Sequence, residues 1–332
     1  MSDIEAAIVQ LDGPRQLVWR RETLAAPTGN QIRCATIVSV ISPGTELAAY
    51  TGLAPLRPGN PYPRVQGYCN VARVIDAGPD VTDLASGDVV LTFSSHRSHF
   101  TIDAGEVLVK LPADGDYGKL ACAYLYHLGY NAVLRSDVRA GSTVLVIGLG
   151  VLGLTSVAMA ALAGARVHAV SNQASAARIA TAFGARAVHA RDAVDAALAG
   201  GADVVIATTG GWDDWQMALR NAATMGRIAV LGFPGRGLLA PQVNPLDSQY
   251  FYAKQLRIEA VGMSPSSADD RGFLPFNERA NLAFLADAIH RGDLDPSPLI
   301  SGRLSGFDII QAYEAIVQRD NDALTFILEW GG

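Results

Sequence analysis

The sequence predicts an α/β chain with a doubly wound parallel sheet behind a β-rich amino-terminal portion. Three observations carry this prediction. From Thr143 onward, short apolar runs alternate with helix-period stretches, the pattern of strands joined by crossover helices. Before residue 118 the apolar runs are cut by Gly, Pro and Asp and lack that alternation. Between Val144 and Gly153 the chain reads Val-Leu-Val-Ile-Gly-Leu-Gly-Val-Leu-Gly, an apolar strand that empties into a three-glycine turn and a helix.

Taken in order, residues 37–41, 71–75 and 107–111 read as short strands of the first portion. A helix-period segment follows over 120–134. Strands are then expected at 143–147, 166–170, 187–189, 204–207, 227–231 and 256–261, which completes a doubly wound sheet. A Ser/Asp/Pro-rich loop after Met263 leads to an amphipathic helix over 281–290 and a last strand over 325–330. The expected divisions are 1–118, 119–265 and 266–332, the last returning to the first.

Composition narrows the function. A chain of 332 residues with 49% hydrophobic content exceeds one ordinary core, so two domains are expected. A net charge of −6 without a basic cluster argues against nucleic acid or an anionic membrane as partner and points to a small-molecule substrate. Cys34, Cys69 and Cys122 are odd in number and far apart, so they form neither a disulfide framework nor a Cys-x-x-Cys metal knuckle. With no signal peptide and no membrane-length apolar run, a soluble cytoplasmic protein is expected.

The glycine turn has a mechanism. Gly148 allows a sharp turn off the strand, Gly150 lets the backbone approach a pyrophosphate, and Gly153 lets the helix pack close to the sheet. The phosphates would meet the amino end of that helix at Val151, Leu152 and Gly153, where free N–H groups and the helix dipole favour negative charge. An NAD site places Asp or Glu at the end of the second strand, where it bonds the ribose hydroxyls and repels a 2′-phosphate. Here that strand ends in Ser171-Asn172-Gln173. Ser171, Asn172 and, a turn further on, Arg178 favour NADP(H), with NAD(H) possible; Ser171 as a plain helix cap is the alternative.

The order of parts and four stretches resemble the medium-chain dehydrogenase/reductase superfamily over nearly the whole chain. Ser42-Pro43-Gly44-Thr45-Glu46-Leu47 resembles the Cys-Gly-Thr-Asp-Leu segment of zinc alcohol dehydrogenases, and Val65-Gln66-Gly67-Tyr68-Cys69 resembles their Gly-His-Glu segment. Ser86-Gly87-Asp88-Val89-Val90 resembles the Gly-Asp-Arg-Val turn, and the Gly148–Gly153 loop is the fourth stretch. The resemblance implies a GroES-like catalytic domain over 1–118, a Rossmann domain over 119–265, and a homodimer through the sheet edge near residues 256–261. It places Thr208, Gly232 and Phe233, at the carboxyl ends of strands, beside the nicotinamide. Trp212 and Trp215 read instead as packing or surface aromatics.

The departures from that family indicate its zinc-independent branch. At the catalytic zinc-ligand positions this chain has Pro43, Tyr68 and, less securely aligned, Tyr124, and proline has no side-chain donor. The cysteine lobe of the structural zinc is missing as well. His96 and His99, without a third ligand, are expected to be loop residues with solvent or substrate contacts. Tyr68 then supplies or accepts the proton, or else only fills the volume of the missing ion. Tyr124, near it, is the alternative proton donor, Thr45 matches the relay hydroxyl of the zinc enzymes, and His127 either orients Tyr124, acts as an acid or is structural. Tyr50, Tyr62 and Phe93 are expected to join Tyr68 and Tyr124 in walling a pocket between the domains, suited to an apolar or aromatic substrate. The short Gly44–Tyr68 motifs also resemble the branch that includes bacteriochlorophyllide dehydrogenase. The expected activity is hydride exchange between NADP(H) and a secondary alcohol or ketone. Reduction of a conjugated C=C bond, as in quinone and enoyl reductases, and a non-catalytic nucleotide sensor are the alternatives.

Overall fold

The computed structural model describes residues 2–54, 60–266 and 274–331 and divides into two compact units, Met1–Tyr124 with Arg279–Gly332, and Leu125–Glu278. The first unit opens with strands β1 (Ile4–Leu11), β2 (Leu17–Leu24) and β3 (Gln31–Val40), then helix α1 (Pro43–Thr51) and β4 (Arg64–Val65). It continues through β5 (Asn70–Ala77), β6 (Val89–Thr92), β7 (His99–Asp103), β8 (Val109–Leu111) and α2 (Tyr117–Leu120). Helix α3 (Ala123–Arg135) leads into the second unit, built from β9 (Thr143–Ile147), α4 (Val151–Leu162), β10 (Arg166–Val170), α5 (Ala174–Ala182) and β11 (Ala187–His189). There follow α6 (Val194–Leu198), β12 (Ala202–Ala207), α7 (Trp212–Asn221), β13 (Ala222–Val230) and β14 (Arg257–Ala260). The chain returns to the first unit with α8 (Glu278–His290), β15 (Ile300–Ser305), α9 (Ile309–Gln318) and β16 (Thr325–Glu329).

The second unit is a six-stranded, all-parallel sheet in the order β11-β10-β9-β12-β13-β14. Its inner strands read as unbroken apolar runs because both faces are covered; Val144, Leu145, Val146 and Ile147 are all fully buried. One face packs Leu145, Ile147, Val205 and Ala207 against Trp215, Ala218 and Leu219 of α7. The strand order reverses between β9 and β12, where ligands bind outside the carboxyl ends of such sheets. Strands β9, β10 and β11 have the expected limits. β12 and β13 begin earlier than residues 204 and 227, with a register shift between Ala202 and Val204.

The first unit has a seven-stranded sheet in which β15-β16-β3-β5-β6-β8 run side by side and β7 pairs with β3, and a three-stranded sheet β2-β1-β4. β16 joins β3 antiparallel through Ile327–Val40, so the carboxy-terminal return is built into this sheet. α9 was not expected from the sequence, although Ile309, Ala312, Tyr313 and Ile316 bury one stripe at helical spacing. They pack with Val9, Leu11, Ile41 and Tyr50. Among the described residues no helix is long and apolar enough to cross a membrane.

Candidate active site

The three glycines of the second unit differ in what surrounds them. Gly148 has φ +92, and a Cβ there would lie 2.3 Å from Thr209 Cγ2. At Gly153 a Cβ would lie 1.7 Å from the Gly148 carbonyl oxygen, so helix and turn touch through the missing side chain. Gly150 is different: nothing lies within 4 Å of its Cβ position, and it caps α4 in an extended conformation. That open backbone beside a helix amino terminus fits a pyrophosphate. The first intrahelical bond is Leu154 N–H to Gly150 O at 2.9 Å, which leaves the N–H groups of Val151, Leu152 and Gly153 without a helical partner.

Around the turn, Thr208 Oγ1 bonds the carbonyls of Ile147 (2.9 Å) and Gly148 (3.1 Å), so its hydroxyl holds the turn itself. Gly232 is needed for loop packing, since its Cβ would lie 2.3 Å from Thr209 O. Phe233 is 55% exposed and carries the Arg236 guanidinium 4.0 Å above its ring. Trp215 is buried in the core with its indole N–H bonded to Pro245 O, as expected of a packing residue.

At the end of β10, Ser171 Oγ accepts from Gln173 N (3.0 Å) and Asn172 Oδ1 accepts from Arg191 N (3.0 Å). The Arg191 guanidinium forms an ion pair with Asp214 of α7. Arg178 stands exposed on α5. Sequence reasoning missed Arg191 because it lies beyond the next strand, about twenty residues from the ribose position; only the pairing of β10 with β11 brings it close.

In the first unit, Tyr68 donates a hydrogen bond to Ser42 Oγ at 2.5 Å and is also bonded to the Thr45 hydroxyl. Burial pushes its phenol well above the usual tyrosine value, helped by Cys69 and by the Glu46 carboxylate; the bonds to Ser42 and Thr45 act the other way. Tyr124 lies edge-on to Tyr68 with centroids 5.3 Å apart, and Phe93 lies edge-on to Tyr124 at 5.0 Å. These three rings form one cluster.

Tyr50 and Tyr62 do not join it. Tyr50 is 3% exposed, packs edge-on against Tyr313 and donates to Glu314 at 2.6 Å, while the Tyr62 hydroxyl bonds Ala49 O. Both belong instead to the core under α9, packed with Ile309, Ala312, Tyr313 and Ile316 of that helix.

His127 is fully buried in the second unit, with Nε2 3.0 Å from Ser264 Oγ; Ser264 in turn donates to Asn131 Oδ1 at 2.7 Å. Burial pushes its imidazole down to about 4, so at neutral pH it carries no proton to donate as an imidazolium. As a neutral imidazole bonded to Ser264, His127 has the surroundings of the structural alternative.

The expectation for His96 is also overturned. It is fully buried, with Nε2 2.9 Å from Glu46 Oε2 and Nδ1 2.8 Å from Ser39 Oγ. Gly67 makes this possible, since a Cβ there would lie 2.5 Å from the imidazole. His99 opens β7, half-buried, with Nδ1 near Ser98 Oγ.

The donors at Pro43, Tyr68 and Tyr124 do not fit a zinc ion, which wants thiolate, imidazole or carboxylate. Pro43 begins α1, and the Tyr68 hydroxyl is engaged by Ser42. Cys69 is fully buried and its thiol is pushed well above the usual range by burial first, then by Glu46 and Cys122. Burial likewise takes Cys34 and Cys122 up to about 12. No group of three or more His, Cys, Asp or Glu that could hold a metal ion occurs among the described residues.

Residues 151–276 match the zinc-binding dehydrogenase family. The chain is 33% identical to D-guloside 3-dehydrogenase of Shigella flexneri over 173 residues, 49% of each protein. It is 40% identical to 2-desacetyl-2-hydroxyethyl bacteriochlorophyllide A dehydrogenase of Cereibacter sphaeroides over 99 residues, 30% of each. The chain thus spans about half the length of the first of these relatives and less of the second. A zinc-binding dehydrogenase from Sinorhizobium meliloti 1021 bound to NADP has the same fold, with a TM-score of 0.78 and 21% identity over 98% of this chain and 99% of that one. Residues 151–276 are thus similar to the zinc-binding dehydrogenases, and nearly the whole chain shares the fold of the Sinorhizobium meliloti protein.

Proposed function

We propose that the protein is an NADP(H)-preferring oxidoreductase that exchanges hydride between nicotinamide and a secondary alcohol or ketone, without a catalytic zinc. The observation that carries this reading is Tyr68, a half-buried phenol hydrogen-bonded to Ser42 and Thr45 at a position that resembles a metal-ligand position of the zinc relatives. The names of the matched relatives as dehydrogenases, and the NADP in the Sinorhizobium meliloti structure, support it.

When bound, the reduced nicotinamide supplies the hydride and its electron pair. In the reductive direction the carbonyl carbon takes that hydride, and the oxygen takes the proton of Tyr68. Because burial and Glu46 hold the phenol well above its usual value, it stays protonated through the physiological range. The same surroundings make the phenolate costly, so the proton must be replaced promptly. Thr45 relays it, while Ser42 holds the phenol oxygen in place. The apolar or aromatic body of the substrate packs on the Tyr68, Tyr124 and Phe93 rings. Ser171, Asn172 and Arg191 favour the 2′-phosphate.

The test is NADPH oxidation over a panel of ketones and enones, with product analysis, for wild type and Tyr68→Phe. Turnover of ketones to alcohols, cut at least a hundredfold in the variant with NADPH affinity unchanged, is expected. Full activity in Tyr68→Phe removes the acid role. Products that keep the carbonyl but lose the C=C bond indicate conjugate reduction instead. Tight NADPH binding without turnover indicates a sensor. Homodimerisation through the edge strand β14 is part of the same reading, and sedimentation of a β14 charge variant tests it.

A further inference from the structure

A buried hydrogen-bonded chain joins the two segments that carry Ser42 and Tyr68 in the first unit. Trp330 Nε1–H can only donate, and it donates to Ser39 Oγ at 2.9 Å. Ser39 Oγ in turn lies 2.8 Å from His96 Nδ1, and His96 Nε2 lies 2.9 Å from Glu46 Oε2. The imidazole is thus held between a hydroxyl and a carboxylate. Glu46 also accepts from Ser42 N at 2.7 Å and from the Tyr313 hydroxyl at 2.5 Å. Three donors converge on one carboxylate that is 1% exposed, a fully satisfied acceptor.

The connectivity Ser39–His96–Glu46 has the members of a nucleophilic triad, but Ser39 and His96 are fully buried and no substrate reaches them. What the chain touches decides its role. On one side Glu46 fixes the Ser42 backbone, and Ser42 holds the Tyr68 hydroxyl. On the other, the His96 ring lies against Gly67, the residue before Tyr68, and the His96 N–H donates to Gln66 O at 2.7 Å. The imidazole is therefore a clasp between the Ser42–Glu46 segment and the Gln66–Tyr68 segment.

We propose that His96 and Glu46 are positioning residues that act through Tyr68, setting the register of its hydroxyl against Ser42 and Thr45. This rests on the reading of Tyr68 as proton donor. A misplacement of about 1 Å at a reacting group costs on the order of a hundredfold in rate. In His96→Gln and Glu46→Gln, kcat for ketone reduction should fall ten- to a hundredfold, with the NADPH Kd within twofold of wild type.

The decisive readout is a double-mutant cycle, because a role in general stability would not couple to one phenol. In the Tyr68→Phe background, His96→Gln should cost less than a further twofold. Tyr313→Phe, which removes one donor from Glu46 and keeps the ring, gives a smaller loss with the same coupling and serves if His96→Gln does not fold. A folded His96→Gln enzyme with wild-type kcat, or the same fold-loss in both backgrounds, overturns the clasp while leaving the Tyr68 reading intact. Full turnover in Tyr68→Phe, or no turnover in wild type, overturns that reading and the clasp with it.

Discussion

The substitutions Gly150→Ala and Gly153→Ala add the same methyl group three residues apart and should have opposite consequences. At Gly153 the new carbon would sit 1.7 Å from the Gly148 carbonyl oxygen, half the ordinary contact distance of 3.4 Å. The turn and helix must separate to admit it. Alanine's better helix propensity returns about 1 kcal/mol, against an overpacking cost of about 3 kcal/mol or more where backbone must move. Gly153→Ala should therefore lower stability and lose cofactor binding together. At Gly150 nothing lies within 4 Å of the added carbon, and the residue has φ −77, so the unliganded protein has no clash to relieve. Replacing an N-cap glycine costs at most about 1 kcal/mol. The methyl meets only an approaching phosphate, and NADPH Kd should rise at least tenfold, about 1.4 kcal/mol. Urea melts paired with fluorescence titration of NADPH measure both quantities on the same samples. Unchanged affinity in Gly150→Ala, or a wild-type melt for Gly153→Ala, would refute this division of roles.

Three further outcomes are expected. Arg191→Ala should weaken NADPH about tenfold while leaving NADH within twofold, since Arg191 joins Asn172 through its backbone N–H and carries, on a guanidinium paired with Asp214, the positive charge that a 2′-phosphate needs; equal losses for both cofactors would assign Arg191 to the loop alone. Lys254 donates to the carbonyls of Leu219 (3.1 Å), Arg220 (2.7 Å) and Ala222 (2.8 Å) at the end of α7, so Lys254→Met should cost about 2 kcal/mol in a urea melt, and a loss below about 0.5 kcal/mol would show the cap to be idle. His127 has its folded-state pKa lowered from 6.5 to about 4, so the unfolded chain binds the proton first and stability falls as pH drops from 6.5 toward 4, by at most about 3 kcal/mol. His127→Gln should flatten that slope in urea midpoints measured across the window; an unchanged slope would locate the effect elsewhere.

The parallel sheet was legible because its inner strands β9 and β12 are buried on both faces and so announce themselves as near-continuous apolar runs. The first unit was less so. Its half-exposed strands, such as Leu17–Leu24 with one buried residue, alternate too weakly to stand out. The glycine turn could be read with its three roles, since each follows from the absence of a side chain. Glu46 and His96 could not be linked, because fifty residues separate them and a lone histidine carries no sign of its partner. Tyr50 misled for a related reason: its partner Glu314 arrives from a helix near the other end of the chain.

All three cysteines lie in the first unit, buried and with thiols pushed up by burial, and the second unit contains none. An alkylating reagent at neutral pH therefore finds no reactive thiolate in the folded first unit and is indifferent to the second. Labelling rates become a clock for the opening of one unit alone. Tryptophan emission comes from both units, Trp19 and Trp330 in the first and Trp212 and Trp215 in the second, so comparing it with the labelling rate times the opening of the first unit against loss of structure in both, without altering the sequence.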